Sequence, residues 1–144
     1  MSIKVDEIMT KSVVTTTAHK TVAHAKELLE SHHFNILPIV DNEMHAIGMV
    51  SSSDLLKCPS DSIHLAQIMQ QEVHTIAQYS DVEVAARIMR KQKIHHLVVT
   101  HEKKVVGIIS SFDLLRMIEN KRFVMKNPST PKKQSKKAKL SAQL

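Results

Sequence analysis

The sequence predicts an α+β fold: two tandem β-α-β-β-α repeats packed as a pseudo-two-fold pair, followed by a disordered C-terminal tail. Three observations predict it. The two glycines of the chain open matching frames, Gly48-Met-Val-Ser-Ser-Ser-Asp54-Leu-Leu and Gly107-Ile-Ile-Ser-Ser-Phe-Asp113-Leu-Leu. The match runs backwards at a spacing of 60: Ile8-Met9 with Ile68-Met69, Val13 and Thr15 with Val73 and Thr75, Val22 and Ala25 with Val82 and Ala85, and Leu37 with Leu97. One residue is missing from the second copy's hairpin. Finally, the composition changes near residue 121, where large apolar residues thin out and lysines take over. Residues 1–60 and 61–121 are therefore read as the repeats and 122–144 as the tail. Two copies make a pair; a solenoid would need three or more.

Each copy starts with a short helix, around Val5–Met9 and Ile63–Met69, and a short strand, Val13–Thr16 and Val73–Ile76. An amphipathic helix follows. Val22, Ala25, Leu28 and Leu29 line one face in the first copy, and Val82, Ala85, Ile88 and Met89 do so in the second. Thr21, and Ser80 or Asp81, suit the N-cap because a short side-chain oxygen there accepts from a free helical N–H. Two apolar strands come next, Ile36–Val40 with Ala46–Ser51 and Leu97–Thr100 with Val105–Ser110. They are joined by the polar turns Asp41-Asn42-Glu43 and Glu102-Lys103-Lys104. A last helix opens near Ser52 and Ser111. Three short strands leave one apolar face uncovered, so the copies are expected to pack on each other.

Charge and cysteine usage narrow the function classes. Lys121–Leu144 holds eight basic residues and no acid, which leaves 12 basic against 14 acidic residues and a net −2 on residues 1–120. The body is not a basic nucleic-acid-binding domain. Cys58 is the only cysteine, so no intramolecular disulfide forms. No apolar run approaches the ~18 residues of a membrane span, and the start lacks the apolar stretch of a secretory signal, so a cytoplasmic location is expected. A tail so poor in large apolar residues cannot bury enough surface to order itself.

The opening Val5-Asp-Glu-Ile-Met-Thr10, the stretch Ile36-Leu-Pro-Ile-Val-Asp41 and the two Gly-x-x-Ser-x-x-Asp-Leu-Leu segments, in this order and repeated, make the chain resemble a pair of CBS domains, the cystathionine β-synthase-type regulatory module. The resemblance covers residues 3–120. It implies clefts between the repeats that bind an adenosine-containing ligand (AMP, ADP or ATP, with S-adenosylmethionine or NAD as further members of the class). It also implies no catalysis, pairing into a homodimer, and a signal passed to an unidentified protein partner. The second copy departs from the pattern at Val98, where the first has Pro38, and at Thr100-His101.

The candidate ligand residues follow from that resemblance. A carboxylate at a helix start can accept from both hydroxyls of a ribose, and a neighbouring serine can hold ribose or phosphate. The same Ser-x-x-Asp pattern is close to a capping box, and the two roles can coexist. The first cleft is expected to combine Ser51, Ser53 and Asp54 with Thr75, Ile76, His95 and His96. The second is expected to combine Ser110 and Asp113 with Thr15, Thr17, Asn35 and Ile36. His96, once protonated, is the residue suited to phosphate, so its cleft is expected to favour the more highly phosphorylated ligand, increasingly so at lower pH.

Other chemistries lack a constellation. The ten histidines include the adjacent pairs His32-His33 and His95-His96, and successive side chains diverge, so no metal site is expected. There is no Gly-x-x-x-x-Gly-Lys loop and no Gly-x-Ser-x-Gly elbow, and Cys58 has no base assigned to it. Two alternatives to a sensor stay open. The Lys-rich tail could make weak, salt-sensitive contacts to nucleic acid or an anionic surface, or the module could be a dimerising scaffold with vestigial clefts.

Overall fold

The computed structural model describes residues 3–120, so the reading of 122–144 as a disordered arm lies outside the described residues. The first half contains α1 (Val5–Ile8), α2 (Val22–His32), β1 (Ile36–Val40), β2 (Ala46–Ser51) and α3 (Ser52–Leu56). The second opens with a 3₁₀ turn, Leu65–Gln67, and continues with β3 (Thr75–Ala77), α4 (Val82–Gln92), β4 (His96–His101), β5 (Lys104–Ser110) and α5 (Ser111–Asn120). The chain divides into two units, Met1–Leu114 and Leu115–Leu144. Residues 115–120 of the second are helical.

The long helices form where the 3.6-residue stripe predicts them. Val22, Ala25 and Leu29 are buried on α2, and Val82, Ala85 and Met89 on α4. Thr21 caps α2, its Oγ1 accepting from the His24 N–H at 3.3 Å. Asp81 holds the equivalent place on α4, where its Oδ1 accepts from Lys4 Nζ at 2.7 Å. Both helices end on a left-handed residue sixty positions apart, His33 at φ 59° and Lys93 at φ 57°. The following N–H turns back to the helix, Phe34 to the Leu29 carbonyl and Ile94 to the Met89 carbonyl, each at 3.0 Å. A side chain at such a position costs ~1 kcal/mol against glycine. Lys93→Gly is therefore expected to raise stability by roughly 0.5–1 kcal/mol, read as a higher urea midpoint at unchanged slope.

The sheets repeat one another down to their irregularities. β1 and β2 pair antiparallel with Ile39 opposite Gly48 and a bulge between Ile39 and Val40. β4 and β5 pair antiparallel with Val99 opposite Gly107 and a bulge between Val99 and Thr100. β3 joins β4 in parallel, Thr75 opposite Val98. Its counterpart was expected at Val13–Thr16, but only a single bridge forms there, Thr16 to Ile39. The cause is Pro38. In the second half Val98 donates its N–H to the His74 carbonyl at 3.1 Å, and proline has no N–H to make the equivalent bond.

The short leading helices are exchanged between the halves. Val5, wholly buried, joins Ile76, Ala85, Met89, Leu97, Val99 and Ile109 in the core of the second half, with Ile8 and Met9 packed against it. Leu65, also wholly buried, joins Val22, Leu37, Ile39 and Val50 in the core of the first, with Ile63, Ile68 and Met69 beside it. Backbone bonds fix the exchange: Val5 donates to the Ser80 carbonyl at 2.8 Å, and Leu65 to the Lys20 carbonyl at 2.8 Å. The ion pairs Lys4–Asp81 at 2.7 Å and Lys26–Asp61 at 2.8 Å lie alongside. Of the helix expected over Ile63–Met69 only the 3₁₀ turn Leu65–Gln67 forms, and the Ile63 carbonyl before it accepts the Val22 N–H at 2.9 Å. A third cluster, Val40, Val98 and Val105, forms the seam where the hairpins meet.

Candidate functional site

The exchange carries each leading segment across to the other half's last strand. Thr10 and Ile108 trade backbone hydrogen bonds at 2.8 and 3.1 Å, and Gln70 and Met49 do the same at 2.8 and 2.9 Å. A cleft opens beside each junction.

The cavity on the Asp113 side, ≈ 130 Å³, is lined by Thr10, Val13, Val14, Phe34, Asn35, Ile36, His96, Ile108, Ser110 and Asp113. Its walls are mainly apolar, from Val13, Val14, Phe34, Ile36 and Ile108, with the His96 imidazole and the Asp113 carboxylate among the polar groups. Ser110 and Asp113 form a reciprocal cap on α5: Ser110 N–H donates to Asp113 Oδ2 at 2.9 Å, and Asp113 N–H donates to Ser110 Oγ at 3.1 Å. Asp113 is only 6% exposed, and what it shows lines the cavity. Of the residues expected on this side, Asn35, Ile36, Ser110 and Asp113 line one cavity. Thr15 and Thr17 are not among the lining residues; Thr17 Oγ1 lies 3.2 Å from His19 Nδ1.

The cleft on the Asp54 side, expected to hold Ser51, Ser53, Asp54, Thr75, Ile76, His95 and His96, is ≈ 220 Å³ and lined by Ile36, Met49, Gln70, Glu72, Val73, His74, Ile94, His95 and His96. Of the residues expected there, His95 and His96 arrive. Thr75 and Ile76 do not line it, because β3 spends them on the sheet: Thr75 pairs with Val98, and Ile76 turns into the core at 6% exposure. Ser51, Ser53 and Asp54 gather at the start of α3. Ser51 N–H donates to Asp54 Oδ2 at 3.0 Å, Asp54 N–H donates to Ser51 Oγ at 3.2 Å, and the two serine hydroxyls lie 3.0 Å apart. Gln70 stands between this group and the cleft, its Nε2 donating to Asp54 Oδ2 at 3.1 Å.

His96, expected in one cleft, lines both. Burial holds its pKa below the usual 6.5, the neighbouring His95 pushes the same way, and Asp113 opposes them. Sequence reasoning missed Thr10, Gln70, Val13, Val14 and Phe34. The available signal was the residue after each repeated methionine, Met9-Thr10 and Met69-Gln70, since each methionine lies against the other half's glycine. Among the described residues no group of three His, Cys, Asp or Glu side chains is placed to hold a metal ion, and no helix is long and apolar enough to cross a membrane.

Comparison with known proteins agrees with the fold. The CBS domain model matches residues 5–61 and again 65–120. The chain is 28% identical over 135 residues to a CBS domain-containing protein of Dictyostelium discoideum, covering 82% of this chain and 92% of that one. It is 27% identical over 114 residues to an inosine-5′-monophosphate dehydrogenase of Methanocaldococcus jannaschii, covering 78% of this chain and 23% of that enzyme. It spans less than half the length of that enzyme and of three further curated relatives. Among solved structures, the CBS domain pair of protein MJ0100 in complex with 5′-methylthioadenosine and S-adenosyl-L-methionine superposes with a TM-score of 0.78 at 28% identity, covering 85% of this chain and 100% of that one. A structure described as an acetoin utilization protein (AcuB) from Vibrio cholerae gives 0.76 at 31% identity, covering 83% and 94%.

Proposed function

The chain belongs to the CBS domain family, a family of regulatory modules, and on that premise we propose that it binds an adenosine-containing nucleotide between its repeats, 1–60 and 61–121, and signals occupancy to a partner protein. The observation that carries this reading is Asp113, a carboxylate fixed by its own helix cap at the edge of a cavity with mainly apolar walls. The base lies among Val13, Val14, Phe34 and Ile36, the ribose diol donates to Asp113, and Ser110 reaches ribose or phosphate. The adenosyl ligands held by the domain pair of protein MJ0100 support the ligand class.

Melting the protein with AMP, ADP, ATP, NAD and S-adenosylmethionine tests the proposal. A ligand at 100 times its dissociation constant adds about 2.7 kcal/mol of stability, and Asp113→Asn, which keeps a cap acceptor, removes the shift. No shift with any of the five overturns nucleotide binding and leaves a dimerising scaffold. The exposed Leu56 of α3 and Phe112 of α5, 79% and 69% accessible, suit the apolar contact of a homodimer. A cytoplasmic location fits the same reading.

His96 makes the affinity pH-dependent. Its lowered pKa keeps it neutral at pH 7.5, and acidification through and below the ordinary imidazole value turns it into a cation beside the phosphate, His95 opposing and Asp113 assisting. A charged hydrogen bond is worth about 1.5–3 kcal/mol. AMP affinity measured by calorimetry is therefore expected to gain roughly tenfold from pH 7.5 to 5.5 relative to His96→Gln. Equal slopes in the two proteins would remove His96 from the site.

A further inference from the structure

The two clefts descend from one repeat but do not offer a nucleotide the same groups. In one, Asp113 is itself a lining side chain. In the other, Asp54 is not; the lining residue is Gln70, whose Nε2 donates to Asp54 Oδ2 at 3.1 Å. The cap bond is common to both sides, Ser51 N–H to Asp54 Oδ2 at 3.0 Å and Ser110 N–H to Asp113 Oδ2 at 2.9 Å.

The difference is written in one residue pair. Thr10 and Gln70 are counterparts sixty positions apart, each held by two backbone hydrogen bonds to the opposite half's last strand, Thr10 to Ile108 and Gln70 to Met49. The main chain thus delivers residue 10 to the mouth of one cleft and residue 70 to the mouth of the other. Threonine is too short to span such a mouth, whereas the glutamine amide reaches the carboxylate. A second difference acts in the same direction. Glu72 lines the Asp54 cleft, and a carboxylate there repels a phosphate; its counterpart, Ser12, does not line the Asp113 cavity.

We infer that each chain binds one adenosine nucleotide, in the Asp113 cavity, and that Gln70 closes the Asp54 site by occupying the carboxylate a ribose would need. A nucleotide entering the Asp54 cleft must displace this exposed charged hydrogen bond and bring its phosphate beside Glu72, which together cost it about tenfold in affinity. The inference rests on the nucleotide-binding reading and adds to it the stoichiometry and the residue that sets it.

Equilibrium dialysis of the full chain against AMP at pH 7.5 tests both. The wild type is expected to bind one AMP per chain, and Asp113→Asn none. Gln70→Thr, which installs the first repeat's residue, and Gln70→Ala are each expected to bind two, the new site gaining up to about tenfold in affinity. Gln70→Thr combined with Asp113→Asn is expected to bind one. Thermal melts of each variant verify folding. Two sites in the wild type, or one site that survives Asp113→Asn, would overturn the inference and leave nucleotide binding standing. So would a folded Gln70→Thr that still binds one. No binding by any of these proteins would overturn both. Should the Gln70 variants not fold, the wild-type count and its loss in Asp113→Asn still decide which cleft is used.

Discussion

A chain that begins at residue 11 is expected to lose the tertiary structure of its second half while keeping much of the first. Residues 3–10 contribute Val5, wholly buried, and the flanking Ile8 and Met9 to the core built from Leu97, Val99 and Ile109. Full burial of a side chain of this kind contributes about 1.5–3 kcal/mol, so Val5 with the half-buried Ile8 and Met9 contributes roughly 5 kcal/mol, within the ~4.5–9 kcal/mol that full burial of all three would give. That is comparable to the total stability of a small domain, about 5–15 kcal/mol. The backbone partners go too, since Ser80, Gln78 and Ile108 all accept from residues of this segment. Methyl resonances of Leu97, Val99 and Ile109 are expected to collapse toward random-coil positions, and those of Leu37, Ile39 and Val50 to stay dispersed. Addition of a peptide spanning 1–10 is expected to restore them. A truncated chain that melts cooperatively within ~1 kcal/mol of the parent would contradict the exchange of leading helices as a source of stability.

Replacing Gly107 by alanine is expected to cost about 2–3 kcal/mol, and the same change at Gly48 about 1 kcal/mol less. Neither glycine has a positive φ, so the reason is space. A methyl group on Gly107 would stand 2.6 Å from Met9 Sδ and 2.8 Å from the Thr10 carbonyl oxygen. At Gly48 the nearest atom is Met69 Sδ, at the far end of a flexible side chain, and the Gln70 oxygen is 3.3 Å away. A methionine can swing aside; a carbonyl paired in a bridge cannot. Because Thr10 also lines the nucleotide cavity, Gly107→Ala is expected to weaken AMP binding together with stability. Urea melts of both variants, with calorimetry on Gly107→Ala, measure these effects. Equal losses at the two glycines would contradict the argument from backbone contact.

The repeat was legible because its marks are local: two glycines, two helix stripes, and the hairpins Ile36–Ser51 and His96–Ser110 each carry their pattern in sequence. The exchange was not, because Val5 reads as an apolar helix residue whichever core receives it. The site was half legible for the same reason. Asp113, Ser110, Asn35 and Ile36 sit on elements whose places follow from the repeat. Thr15, Thr17, Thr75 and Ile76 were expected in the clefts because the resemblance implies a base held along or just after each copy's first strand. In the second half that strand serves the sheet and the core, and Gln70, Glu72, Val73 and His74 before it line the cleft. Val13 and Val14 do so in the first half, where Pro38 leaves only one bridge.

The seam between the hairpins is made of Val40, Val98 and Val105, tied by the Val105 N–H donated to the Met44 carbonyl at 2.9 Å. Valine has one side-chain rotor and a strong preference for a single setting. Longer, unbranched side chains at this joint would soak up a displacement by turning about their bonds; these pass it on. A body wedged into a groove walled by both hairpins would therefore tilt one against the other as rigid plates, converting a local push into a rotation felt at the rim.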